Sequence, residues 1–341
     1  MPSRTRSVLV VAGLVAAAGL VFLYVLRRPA VPADAPSAGA PATAIVDAAS
    51  IVREPHLLLR HAVADDNYNH LAAAPLDSPG ARRGIVTMQC ERVAFNGGRG
   101  ICLQASRGVL TSYSATVFDA AFQPLHTLKL DGSPSRTRVA PDGRIGAITV
   151  FVTGQEHGYA SASFSTKTTI LDLSKGAAIG DLEQFTTYRD GRAIKAADFN
   201  FWGVTFASDS NTFYASLQTA GRTYLVRGDA RARSLTVLHD NVECPALSPD
   251  NRRIAYKKRV STGLAPWRFH VLDLSTMAEH PLAAEPRSID DQIEWLDNDR
   301  VLYGAYRSSQ SAVLDVWVAP VEGADPARVF LAGAESPAVV R

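Results

Sequence analysis

At 341 residues, with 35 basic and 33 acidic side chains, the chain is long enough for one large domain plus an appendage and carries almost no net charge. That balance, and the lack of any basic run interleaved with aromatics, argues against a nucleic-acid binder. Three cysteines are too few for a disulfide scaffold.

The chain opens on Val8 to Leu26, 19 residues without a charge, flanked by Arg4 and Arg6 before and Arg27 and Arg28 after. As a helix this stretch spans about 28 Å, close to a hydrocarbon core. Residues 1–28 therefore read as a signal anchor held in the membrane through residues 8–26. A cleaved signal peptide is the alternative, because Ala-rich sequence follows. Residues 29–50 read as a Pro/Ala-rich linker. Residues 51–341 are then a domain carried outside the cytoplasm.

Beyond the linker the sequence repeats itself. Leu247-Ser248-Pro249-Asp250-Asn251-Arg252-Arg253-Ile254-Ala255-Tyr256 sets a short apolar strand end against a Pro-Asp-Asn turn and a returning strand. Pro presets φ for such a turn, while Asp and Asn bond their own backbone. Val139 to Ile145, Phe206 to Tyr214 and Trp295 to Tyr303 repeat the pattern, and Phe95 to Ile101 is a weaker copy. Aligned on the apolar residue before the turn, the copies fall at 95, 139, 206, 247 and 295, at intervals of 44, 67, 41 and 48 residues. Self-similarity of that period, with short strands in each unit, marks an all-β fold of the β-propeller kind.

His56 to Ala62, Asn69 to Leu76 and Arg83 to Met88 are strand candidates without a copy of the turn. The C-terminal stretch Ser336 to Arg341 resembles the start of a repeat, with Val339 lying 44 residues after Trp295. A closed ring follows, in which the C-terminal strand is the innermost strand of a blade completed by residues 55–87. That makes six blades: the composite one, then 88–132, 133–190, 198–240, 243–287 and 290–333. In the long third blade, Gln155 to Ser163 and Gly176 to Glu183 read as extended loops.

The hairpins at 139–148 and 247–256, with the outer strands Phe269 to Leu274 and Asp315 to Pro320, resemble the WD-like repeats of TolB-type six-bladed β-propellers. The order Asn200 to Phe206, Val242 to Pro245 and Asp290 to Gln292 resembles the membrane-anchored TolB-like translocation proteins of bacteria. The resemblance covers about 55–341. It implies a protein-interaction propeller working in envelope transport or translocation. The sequence departs from periplasmic TolB in having no separate α/β domain before the ring.

The repeat register also singles out a ring of residues. Four positions before the aligned apolar residue stand Glu91, Ser135, Trp202, Glu243, Asp291 and Glu335. In a propeller these positions converge where the chain enters the innermost strands. Clustered carboxylates repel and need cations. Three answers satisfy them: internal pairing, with Arg92 and Arg136 next in sequence; a cationic segment of a partner; or a hard cation such as Ca2+ in the channel. Trp202 shares the register and is expected to be exposed there as a binding anchor, with Asp198, Asn200 and Gln292 adding polar contacts. Phe201 and Phe206 read as core.

Cys90 and Cys102 flank the first hairpin, and outside the cytoplasm they can pair. In a plain hairpin register they are offset, so pairing asks for a bulge. Cys244 is left as a buried thiol. No G-x-S-x-G elbow, H-E-x-x-H, Walker loop or dinucleotide fingerprint is present. The expected function is a non-catalytic, membrane-tethered scaffold that binds a protein partner. The alternative is a metal-dependent propeller hydrolase or small-ligand-binding protein using Glu91, Glu243, Asp291 and Glu335. A purely structural envelope protein is the third reading.

Overall fold

Alternating strands separated by Pro/Asp/Gly turns close into six sheets around a channel. The computed structural model describes residues 43–153, 164–263, 265–308, 311 and 313–341. Residues 8–26 and the loop Gln155 to Ser163 lie outside them. Among the described residues no helix is long and apolar enough to cross a membrane.

The first strand, β1 (Ala44–Asp47), runs into a single helical turn α1 (Ala48–Ile51) and then β2 (His56–His61), β3 (His70–Pro75) and β4 (Arg82–Gln89). The second blade is β5 (Arg92–Asn96), β6 (Arg99–Ser106), β7 (Ser112–Asp119) and β8 (Pro124–Leu130). The third is β9 (Ser133–Val139), β10 (Ile145–Thr153), β11 (Ser165–Asp172) and β12 (Ala177–Asp181). A hairpin of β13 (Thr186–Arg189) and β14 (Arg192–Ile194) precedes the fourth blade, β15 (Asn200–Phe206), β16 (Thr212–Thr219), β17 (Arg222–Asp229) and β18 (Ser234–Asp240). The fifth is β19 (Glu243–Leu247), β20 (Arg253–Arg259), β21 (Trp267–Asp273) and β22 (Glu279–Pro281). The sixth is β23 (Glu294–Trp295), β24 (Arg300–Tyr306), β25 (Leu314–Pro320) and β26 (Arg328–Leu331), followed by β27 (Ala334–Val340).

The ring closes as the repeats imply. β27 pairs antiparallel with β2, Leu57 opposite Val339 and Arg60 opposite Glu335, in a sheet ordered β1-β4-β3-β2-β27. Two buried polar links hold that joint. Arg83 of β4 donates to the carbonyls of Ala332 (2.7 Å) and Gly333 (3.0 Å) and to His61 Nδ1 (2.9 Å). The Gly333 amide in turn donates to Asp315 Oδ1 at 2.9 Å.

Three expectations need correction. The body of the domain begins before residue 51: β1 adds in parallel to the edge of β4, and Ile51 is buried. Gly176 to Glu183 is not an extended loop, since Ala177–Asp181 is the outer strand of the third blade and Leu182–Gln184 a short 3-10 turn. The extra length after the third blade also belongs elsewhere, because β13 pairs in parallel with β18 and widens the fourth sheet to six strands.

Cys90 and Cys102 form a disulfide with Cα atoms 5.3 Å apart. The offset is resolved without a bulge. The β5–β6 ladder runs unshifted from Asn96 opposite Arg99 to Arg92 opposite Leu103. Cys90 instead stays with the first blade, its amide bonded to the Asn69 carbonyl at 2.8 Å, so the bridge staples the end of β4 to β6. A bridge over a loop of this size stabilises by about 3 kcal/mol. Replacing both cysteines with alanine should lower Tm by roughly 5–10 °C in a calorimetric scan. An unchanged Tm would show that the bridge restrains nothing.

Candidate functional site

The innermost strands β5, β9, β15, β19, β23 and β27 all enter at one end of the channel, the mouth, and leave at the other, where the Pro/Asp/Gly turns lie. Three of them share one distortion. Gly203 (φ 67°), Cys244 (φ 50°) and Ser336 (φ 53°) are left-handed, and each follows a ring residue: Trp202, Glu243 and Glu335. Each marks a bulge that puts two residues against one on the neighbouring strand. Left-handed backbone in a side-chain-bearing residue costs about 1–2 kcal/mol, so the surroundings must hold it. At Gly203 no side chain fits, since a Cβ would lie 2.7 Å from the Cys244 Cα.

The bulges aim the ring residues, and the acids among them are met by cations. Glu335 is bonded by Arg60 at 2.5 Å and by Arg92. Glu91 is held by Arg107 at 2.7 Å, with Arg60 3.6 Å away. Asp291 lies 3.8 Å from Arg92 and 3.9 Å from Arg136, and accepts the Gly304 amide at 2.7 Å. Glu243 meets Arg259 Nε at 3.3 Å, and Lys257 Nζ meets Asp290 at 2.5 Å while lying 4.3 Å from the Trp267 ring centre. Five carboxylates thus stand among six cations. Glu243 and Lys257 are 1% and 0% exposed, so these two charges are core, while Arg107, Arg259 and Asp290 reach solvent.

The electrostatics follow the geometry. Burial alone would push the Glu335 carboxyl up, but the Arg92, Arg60 and Arg136 guanidiniums outweigh it and hold it below the usual carboxylate range. Asp290 is partly exposed, and what burial it has is likewise outweighed by Lys257, Arg136 and Arg92, which hold it low. Burial disfavours the Lys257 ammonium, yet Asp290 beside it holds its pKa above the ordinary lysine value. The ring is therefore neutralised from within, which was one of the three answers open at the sequence level.

Trp202 is a correction. It is fully buried, packed edge-on to Phe164 (5.1 Å between ring centres) with Cys244 and Trp267 around it. The bulge at Gly203 turns the indole between blades, where sequence register alone placed it in the open. Asn200 is also buried, its Oδ1 accepting from the Thr166 amide (2.8 Å) and hydroxyl (2.6 Å). Gln292 donates to the Val204 carbonyl at 3.3 Å, and Arg136 to the Ser135 carbonyl at 3.0 Å. Asp198 is exposed and caps the β16–β17 turn, accepting from Thr219 and the Ala220 amide at 2.7 Å each. Phe201 and Phe206 are core, and Cys244 is a buried free thiol. The sequence reading missed Arg60, Arg107, Lys257 and Arg259, and did not place Asp290 among the ring charges. Its own register carried the signal, since Arg60 and Lys257 face Glu335 and Glu243 directly across the strand pair.

The other feature of the mouth is apolar. Eleven large hydrophobic side chains are more than about a third exposed among the described residues. Seven of these, Val63, Tyr68, Val109, Leu110, Val152, Val260 and Tyr306, lie in or at the edge of connections between second and third strands, around the mouth. The remaining four, Ile45, Leu125, Tyr188 and Leu238, are on outer strands, Leu125 among them standing beside the β7–β8 turn at the opposite end.

No protein-family model matches the chain, and no curated protein matches it. Solved structures do. TolB from Acinetobacter baumannii aligns at TM-score 0.57 with 15% identity, over 84% of this chain and 66% of that one. The fold is a TolB-like six-bladed β-propeller. A chain of a nidogen/laminin complex aligns at TM-score 0.52 with 12% identity, over 78% of this propeller chain and 89% of that one. A putative TolB from Agrobacterium tumefaciens aligns at 0.49 with 12% identity, over 83% and 91%. The likeness is one of fold, and this TolB-like chain spans 66% of the length of the Acinetobacter protein.

Two outcomes test the internal pairing. Lys257→Met leaves Asp290 and Glu243 without their buried cation and should destabilise by about 3–5 kcal/mol, while Lys257→Met with Asp290→Asn should recover much of the loss. Equal losses in the single and double variants, read from denaturant midpoints, would contradict the pairing. The second outcome is a pH profile. Burial lowers His56 and His61, and His270 to about 4, so acidification first costs stability as the unfolded chain takes protons below about 6.5. Glu335, depressed from 4.5, contributes fully above that value and loses its contribution below it. Glu335→Gln should therefore be less stable than wild type at pH 7, with the gap narrowing below pH 4.5. A gap constant to pH 3 would exclude this role.

Proposed function

We propose that the protein is a non-catalytic scaffold, tethered outside the cytoplasm by its N-terminal apolar segment, whose channel-mouth face docks a protein partner. The observation that carries this reading is the distribution of exposed apolar side chains. Among the described residues five of the six blades place at least one around the mouth, seven in all, against Leu125 alone at the edge of the turn face. Large apolar side chains gathered on one face of a folded domain mark an interaction surface. The acids of the ring add no free charge to that face, because arginine and lysine already hold them. The same fact disfavours the metal-dependent hydrolase, which asks for carboxylates open to an ion. The 19 uncharged residues from Val8 to Leu26 and the Cys90–Cys102 bridge both support an exported, tethered domain. Among the structural neighbours, one is a chain of a nidogen/laminin complex, which supports a protein as the class of partner. A role in envelope transport fits the TolB-like fold.

Site-directed photocrosslinking in cells tests the docking face. A crosslinker at Leu110 or Tyr306 should yield one discrete protein adduct, absent when it is placed at Asn298 on the turn face. Val109→Asp with Val260→Asp should abolish the Tyr306 adduct without moving Tm. Adducts of equal yield from both faces, or none from the mouth, would refute the assignment.

A further inference from the structure

The groove between the third and fourth blades, on the turn face and away from the mouth, gathers three arginines that make no close ion pair among the described residues. Arg144 comes from the β9–β10 turn, and Arg231 and Arg233 from the β17–β18 turn. They line one cavity of about 230 Å³ with an apolar floor of Ile145, Ile179 and Ala230. None of the three guanidiniums makes an ion pair among the described residues, although the chain as a whole has almost as many acids as bases.

The nearby carboxylates accept backbone amides, and Asp229 also feels the Arg231 charge without forming an ion pair with it. Asp142, which also lines the cavity, accepts the Arg144 amide at 2.9 Å, and Asp229 accepts the Ala232 amide at 2.8 Å. Each arginine is fixed at its base. The Arg144 amide is tied into the Asp142 turn. The Arg231 amide donates to Asn211 Oδ1 at 3.0 Å. Arg233 is left-handed (φ 52°), and its carbonyl accepts the Thr186 amide at 3.0 Å. Its guanidinium lies 5.6 Å from the Phe185 ring centre and passes over Gly180, where a Cβ would come within 2.5 Å of it. Three cations held on one small concavity repel one another, and an anion with several oxygens relieves that repulsion while accepting their forked N–H groups.

We infer that this inter-blade groove is an oxyanion-binding site, taking a phosphate or carboxylate group whose small apolar portion rests on Ile145, Ile179 and Ala230. A cavity of about 230 Å³ holds a group of that size. The site is independent of the docking face, because it lies on the other side of the ring.

Isothermal titration of the full-length chain with inorganic phosphate and, separately, with citrate tests the inference, at fixed ionic strength with chloride as the matching salt. At least one of the two should bind saturably at one site per chain. Arg144→Gln with Arg231→Gln should weaken that binding tenfold or more, with the Tm of the variant unchanged because both side chains are exposed and in no close ion pair. Binding of phosphate alone assigns the site to phosphoryl groups, and of citrate alone to carboxylates. No saturable heat with either anion, or undiminished affinity in the double variant, would overturn the site.

Discussion

Glu335 is the residue on which the ring depends. It sits on the last strand, yet its carboxylate is held by Arg60 from β2 and Arg92 from β5, so one side chain joins the end of the chain to its first two blades. A propeller left open at this joint would expose the hydrogen-bonding edges of β2 and β27, and every inter-blade contact rests on the ring being closed. The polar links from Arg83 to the Ala332 and Gly333 carbonyls hold the same joint from the outer side. Closure is thus partly ionic and is made in the interior, where leaving one partner unpaired costs several kcal/mol.

That arrangement separates what holds the ring from what presents it. Buried charges which pair with each other have little left to offer a ligand, so the channel mouth does not act as a bare acidic ring. What the mouth offers instead is the apolar rim on the connections between second and third strands, which can vary without disturbing the inner strands. The turn face is different again, with short capped turns, a single exposed large hydrophobic side chain at its edge (Leu125) among the described residues, and the arginine groove between two blades.

How far the sequence could be read follows from which interactions are local. The Ser-Pro-Asp-Asn and Ala-Pro-Asp-Gly turns carry their geometry in a few adjacent residues, so the blades and the closing strand at Val339 were legible. Trp202 was misplaced because its direction depends on a bulge at Gly203, and that bulge is set by contact with Cys244 in the next blade. The neutralised ring was half legible: Arg92 and Arg136 adjoin ring positions, whereas Arg60 stands 275 residues from Glu335 and meets it only once the ring has closed. The β13–β14 hairpin was missed because its strands, Thr186–Arg189 and Arg192–Ile194, are short, mostly polar and unlike the repeat.

Hydrogen exchange on the intact chain tests the closure account most directly. The amides of β27, Val339 among them, should exchange at the same slow, globally limited rate as those of β2 and of the central strands β19 and β20, because opening the joint opens the ring. If β27 exchanged at fast local rates while β19 and β20 stayed protected, the C-terminal strand would be an appendage to a ring that stands without it.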